Sequence, residues 1–453
     1  MSPVLFAPHA LLPTGWARDV LLAWDDVGAL TRVEPGKNAA TDMPVAAGPL
    51  IPGLPNLHSH AFQRAFAGLS EHRGATEDSF WTWRDLMYRF ARSVSPDQLE
   101  DIATHLYIEM LQAGYTSVCE FHYLHHDPAG QRYANPAEMS LRLLSAARRA
   151  GIGITLLPVL YQDAGFGGQP ARPDQRRFTN SVDALLDIVA GIRAAGARVG
   201  IAPHSLRAVG PPALRDVVAG VDEATPIHIH IAEQQQEVQE CLAWCGQRPV
   251  EWLLSHAEVD ARWCLVHATH LTPAERDALV ASRAVAGLCP TTEANLGDGL
   301  FDAAAYLAAG GAWGVGSDSH ASVNTAEELR LLEYGQRLTQ LRRNVLAPRA
   351  DAAVADALWL GAVRGGAMAS GRAVAGIAVG QKADFVALDT RHALAGLTPA
   401  QALAGHLFAN HGPRAVRDVW VAGVRHVRDG EHVHAGLACE QFVAARSALL
   451  KGI

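Results

Sequence analysis

The chain has 453 residues, 49% of them hydrophobic and 19% charged, enough to bury a sizeable core as one large α/β barrel with appendages or as two to three ordinary domains. A formal net charge of −8 without any Lys/Arg run excludes the electrostatic footprint of a nucleic-acid binder. No basic segment leads into an apolar stretch near the N-terminus, and no run of about eighteen apolar residues occurs, so a cytoplasmic protein without a membrane span is expected.

Residues 1–50 read as short strands and turns, including 19–24 and 29–33. Beyond them, apolar runs of strand length alternate with segments of helical period, which is the pattern of parallel strands and crossover helices. Eight strands are expected, at residues 50–60, 115–123, 153–161, 198–205, 226–232, 263–267, 284–288 and 313–318. Ser95-Pro96-Asp97-Gln98 and Thr272-Pro273-Ala274-Glu275 each offer an N-cap hydroxyl, a first-position proline and a capping-box partner. Past residue 370 the helical pattern is expected to stop, and short strands return around Phe385 and Trp420. The fold predicted is α/β: a (β/α)8 TIM-type barrel over 51–370, with a small β-sandwich domain formed by the N-terminal segment 1–50 and the C-terminal segment 371–453. The Gly/Pro/Arg-rich stretch 163–177 reads equally as a lid or as inert surface. The six cysteines include no Cys-x-x-Cys, so reduced thiols are expected.

The first barrel strand ends in Pro52-Gly53-Leu54-Pro55-Asn56-Leu57-His58-Ser59-His60. Residues i and i+2 of a strand share a face, so His58 and His60 can reach one ion, whereas a helix would set them about 200° apart. Neutral imidazoles suit zinc, iron(II) and similar borderline ions. His204 ends strand four, His230 strand five, His267 strand six and Asp318 strand eight. All six residues therefore fall on the rim where a barrel of this type carries its active site.

With these motifs the chain resembles the amidohydrolase superfamily of metal-dependent barrel hydrolases. The resemblance also covers His230-x-x-Glu233, Gly316-Ser317-Asp318 and the late Gly380-Gln381-Lys382-Ala383-Asp384-Phe385-Val386 segment. Binuclear members bridge two ions with a carboxylated lysine on strand four. The three lysines here, Lys37, Lys382 and Lys451, all lie outside the barrel, and strand four ends in His204. The resemblance thus implies a mononuclear site: one divalent transition metal per subunit, zinc with iron(II) as the alternative, held by His58, His60, His230 and Asp318. His228, one pleat deeper than His230, is assigned to packing. A catalytic metal lowers the pKa of its water toward ~7. Asp318 and His267 are both candidates for the primary base, and Glu233 for the proton carrier to a leaving nitrogen, or else for an acidic first-turn residue.

A finer similarity is to the formimidoylglutamate deiminases of histidine degradation, carried by Asn56 to Arg64, by Trp81-Thr82-Trp83-Arg84, by His204-Ser205-Leu206-Arg207 and by His228 to Glu237. It implies a small dicarboxylate substrate bound by Gln63, Arg84, Tyr123 and Arg207, with His204 at the formimidoyl end, and a homodimer. Guanidinium forks suit carboxylates. Arg84 has the alternative of a surface ion pair with Asp85. The rival readings are a deaminase of guanine-like or thioadenosine-like rings, and a non-catalytic barrel scaffold.

Overall fold

The structure, a computed structural model, describes residues 3–72, 80–409 and 415–451; the side chains of residues 80–82, among them Trp81 and Thr82 of the sequence motif, lie outside this set. The N-terminal segment supplies β1 (Val4–Leu12), β2 (Gly15–Trp24), β3 (Leu30–Glu34) and β4 (Leu50–Pro52). The barrel segment supplies β5 (Leu54–Ser59), β6 (Tyr115–His122), β7 (Gly153–Leu160), β8 (Arg198–Val199), β9 (Ala202–Pro203), β10 (Ile227–Ile231), β11 (Trp263–His267), β12 (Val285–Leu288) and β13 (Ala312–Val315). The chain ends with β14 (Phe385–Leu388), β15 (Val416–Val421), β16 (Val424–Arg428) and β17 (Glu431–His432).

Both ends of the chain enter one sheet, in the order β17-β16-β15-β14-β4-β1-β2-β3. Alternate residues of β2, Val20, Leu22 and Trp24, share an apolar cluster with Phe385, Ala387 and Trp420. The Trp24 and Phe385 rings meet at 5.8 Å, so the sandwich is one continuous sheet curled round its own core.

The barrel closes from two parallel arcs. One runs β5-β6-β7-β8 with β9 also on β7, and the other runs β10-β11-β12-β13. Bridges Ile201↔Ile227 and Ser59↔Asp318 join them. Counting β8 and β9 as one strand interrupted at Gly200 and Ile201, the eight expected strands form the ring. The strand expected over 50–60 is two, because the chain changes sheets at Gly53. Its N–H donates to the Asp384 carbonyl at 3.0 Å, and a Cβ there would lie 2.2 Å from Thr116 Cγ2. Leu57, Cys264, Val266 and Val285 pack together across the barrel beneath the rim. Both expected capping boxes form, Ser95 with Gln98 and Thr272 with Glu275.

One expectation fails. Helices do follow residue 370, at Pro399–Phe408 and Ala435–Leu450. The second buries Ala438, Phe442, Ala445 and Leu449 but leaves Leu437, Val443 and Leu450 exposed. Apolar residues on every side erase the stripe that makes a helix readable. Among the described residues no helix is long and apolar enough to cross a membrane. All six cysteines are free, with Cys241 and Cys245 sulfurs 4.0 Å apart.

Candidate metal centre and substrate pocket

The strand ends bring His58, His60, His230 and Asp318 into one buried cluster. His58 Nε2 lies 3.0 Å from the Nε2 atoms of both His60 and His230, and Asp318 Oδ1 lies 3.5 Å from His58 Nε2 and 3.2 Å from His60 Nε2. Donors of a tetrahedral ion with 2.0–2.1 Å bonds stand about 3.3 Å apart, so the spacing suits one first-row divalent ion. Tautomers agree. His60 Nδ1 lies 2.8 Å from the Phe121 carbonyl and His230 Nδ1 3.1 Å from the His204 carbonyl. Each Nδ1 must then carry the proton, which leaves the Nε2 lone pairs of His60 and His230 both turned toward His58. His58 Nε2, 3.0 Å from both, has at most one proton to share between them, and a cation at the centre satisfies the whole set. Burial pushes His58 down to about 3 and His230 well below the ordinary imidazole range. Burial opposes the Asp318 carboxylate, but hydrogen bonds from His58 and His60 and charge from His58 and His267 hold it well below the usual range.

The backbone that aims these groups is stitched across the barrel seam. Asn56 Nδ2 donates to Ser317 Oγ at 2.6 Å, while its Oδ1 accepts from the backbone N–H groups of Ser317 at 3.1 Å and His58 at 3.3 Å. Ser59, between the two histidines, donates to Glu120 at 2.6 Å. His267 and Asp318 turn at φ +67° and +45°, left-handed conformations that cost non-glycine residues about 1–3 kcal/mol each. A Cβ on Gly316 would lie 2.7 Å from His58 N and 2.8 Å from its carbonyl oxygen. Gly316→Ala is therefore expected to push β5 from the β13 end at a cost of about 1–3 kcal/mol. A lowered urea midpoint, together with substoichiometric metal after dialysis, would register it.

His267 stands outside the four-donor set, with Nε2 3.6 Å from Asp318 Oδ2 and 3.7 Å from Glu233 Oε1. Its Nδ1 meets Glu293 Oε1 at 3.3 Å. Burial opposes charge on this ring, yet Glu233, Glu293 and Asp318 together raise it to about 10. Glu233 follows β10, where its N–H donates to Glu237 Oε2 at 3.0 Å, and burial raises its carboxyl above the ordinary range. His228 turns away from the cluster, 2.8 Å from the Ala369 carbonyl.

A cavity opens onto the cluster, and Gln63, Arg84, Tyr123, His204 and Arg207 all line it. Gln63 Nε2 donates to Tyr123 at 2.9 Å. Arg207 Nη2 and Nε lie 3.9 Å from Glu233 and 4.0 Å from Glu237, and Nε makes no hydrogen bond among the described residues. Asp85 faces Arg172 at 3.8 Å, while Arg84 turns into the cavity. Sequence reasoning missed Tyr88, Tyr161, Glu237, Glu293 and Asp298. Tyr161 immediately follows β7, so the rim rule that singled out Tyr123 reaches it too. Asp298 groups with Glu233 and His267, and burial lifts it to about 9. Glu293 and Asp298 follow strand β12 without any motif to flag them.

A family model described as the amidohydrolase family matches residues 50–425. The chain belongs to the amidohydrolase family. A second model, described as the N-terminal domain of the formimidoylglutamate deiminase HutF, matches residues 2–43 of this amidohydrolase. It is 51% identical over 450 residues to the formimidoylglutamate deiminase of Pseudomonas aeruginosa, covering 98% of this chain and 99% of that one. To a 5-methylthioadenosine/S-adenosylhomocysteine deaminase of Haloarcula marismortui it is 27% identical, covering 94% and 90%. The solved structure of an amidohydrolase from Brucella melitensis superposes with a TM-score of 0.95 at 47% identity, covering 99% of this chain and 100% of that one.

Proposed function

We propose that this amidohydrolase is a formimidoylglutamate deiminase, hydrolysing N-formimidoyl-L-glutamate to N-formyl-L-glutamate and ammonia in histidine degradation. Beside the 51% identity to the Pseudomonas aeruginosa deiminase, one observation carries the reading. Two guanidinium groups, Arg84 and Arg207, share a cavity with the histidine–aspartate cluster. Burial and the neighbouring Arg207 push Arg84 below its ordinary value, a cost that a dianion between the two arginines would relieve. A purine-like ring offers no such pair of charges.

In this reading His58, His60, His230 and Asp318 hold one zinc ion. When bound, it activates water for attack on the amidine carbon. Asp318 accepts the water's proton. His267, ringed by three carboxylates that favour its protonated form, stabilises the adduct. Glu233 carries a proton to the nitrogen that leaves as ammonia. Gln63, Arg84, Tyr123 and Arg207 bind the substrate carboxylates, and His204 contacts the formimidoyl end. A non-catalytic scaffold would have no reason to keep this whole set. A cytoplasmic homodimer completes the reading.

Ammonia release from formimidoylglutamate, measured beside guanine and methylthioadenosine, tests the substrate. Arg207→Met is expected to lower kcat/KM on formimidoylglutamate about ten- to a hundredfold, the loss of one charge-assisted contact of ~1.5–3 kcal/mol. Arg207→Lys would recover part of it, since an ammonium lacks the planar fork. Unchanged kcat/KM in Arg207→Met, or a preference for either ring, would overturn the substrate assignment.

A further inference from the structure

The 163–177 segment is neither inert surface nor a free flap at its C-terminal end. It runs into a short 3-10 turn, Pro173–Gln175, and Gln175 is 1% exposed. Gln175 Oε1 accepts the Arg172 backbone N–H at 2.8 Å, which fixes the end of the amide that is nitrogen. Nε2 then donates to the Tyr161 hydroxyl at 2.8 Å and to the Tyr88 hydroxyl at 3.2 Å.

Both phenol oxygens are therefore acceptors from Gln175, and neither phenol spends its own proton there. The two oxygens share one Nε2, so at most one phenol can donate to the other. The pair then still holds one O–H with no acceptor among the described residues. Both tyrosines stand in the wall of the cavity that Arg84 and Arg207 also line. The Arg84 guanidinium lies 5.6 Å from the centre of the Tyr88 ring, so phenol and cation are close neighbours. Phe178 packs against both rings, at 5.6 Å from Tyr88 and 5.9 Å from Tyr161, and holds their planes. A spare hydroxyl proton beside two guanidinium groups is a donor set with one natural complement, a carboxylate.

We propose that Tyr88 and Tyr161, oriented by Gln175, complete with Arg84 and Arg207 the seat for one carboxylate of the substrate, and so select dicarboxylates over rings. This rests on the formimidoylglutamate reading above. The segment after β7 is thereby part of the substrate site, and the two tyrosines act on binding.

The test compares wild type, Tyr161→Phe, Tyr88→Phe and the double variant on formimidoylglutamate and on two analogues, N-formimidoyl-4-aminobutyrate, which lacks the α-carboxylate, and N-formimidoyl-2-aminobutyrate, which lacks the side-chain one. The double variant is expected to raise KM on formimidoylglutamate roughly ten- to a hundredfold, with kcat within about threefold of wild type and metal content unchanged. The penalty should vanish on the analogue missing the seated carboxylate and persist on the other. Should the double variant not fold, each single variant is expected to raise KM by several-fold with the same analogue pattern. Gln175→Leu, which leaves both phenols intact but unaimed, is expected to raise KM less than the double variant does. An unchanged KM overturns the proposal, as does an equal penalty on both analogues, which would reduce the tyrosines to loop anchors. Wild type that releases no ammonia from formimidoylglutamate overturns the substrate reading itself, a result visible before any variant is made.

Discussion

Glu233→Gln is expected to lower kcat by roughly 10²- to 10⁴-fold while leaving metal content at the wild-type value. Gln keeps the size of the side chain, and the Glu237 carboxylate would still hold the backbone N–H of residue 233, now at 3.0 Å, so the local fold has no reason to change. What disappears is a carboxyl that carries a proton. Burial lifts its affinity for that proton, and it faces His267 Nε2 at 3.7 Å. Steady-state rates together with elemental analysis on the same preparation make the comparison. Activity within about threefold of wild type would leave Glu233 a buried carboxylate ahead of the helix Gln235–Cys245 with no part in the reaction.

The other large effect concerns the ion. Chelation is expected to abolish turnover, and Zn²⁺ or Fe²⁺ to restore it, at about one ion per subunit. His230→Ala should lose both metal and activity, because it removes one of the Nε2 atoms that stand 3.0 Å from His58. His267→Asn should lose rate but keep the metal, since that ring lies outside the four-donor cluster. A stoichiometry near two, with both ions needed for turnover, would overturn the mononuclear assignment.

Much of this was readable from residue order because the relevant rules are local. The His58/His60 spacing needs only the two-residue period of a strand, and the barrel needs only the alternation of strand and helix. The rim positions of His204, His230, His267 and Asp318 follow once the strand ends are known. Legibility failed where contact is made by distant segments. Glu293 meets His267 from the short helix Pro290–Leu296, and Gln175 meets two tyrosines from a 3-10 turn, elements too short to carry a readable period. Asp298 is placed by the turn after helix Pro290–Leu296 rather than by any motif. The helix Ala435–Leu450 was invisible for the opposite reason, an apolar surplus that blurs its stripe. The break at Gly53 was hidden because one run, buried from Leu50 to His60 and marked only by Pro52-Gly53, serves two sheets.

That shared run has a consequence for how the molecule is made. β4 takes its hydrogen bonds from β1 on one edge and from β14 on the other, Leu50 to Pro52 lying opposite Phe385 to Ala387. Two residues later the chain becomes the strand that carries His58 and His60. A ribosome delivering this protein from its N-terminus releases β4 and β5 early, yet β14, the partner of β4, emerges some 330 residues afterwards, and Asp318, which bridges to the end of β5, about 260 residues after His58. The first two imidazoles thus wait on a strand with one edge open until the segment that carries Asp318 bridges to Ser59, and the four-donor cluster can assemble only after residue 318 has been made. The donor set is thus closed by the end of the barrel meeting its beginning, at the Ser59–Asp318 bridge, whereas the sheet that holds β4 is closed separately by β14.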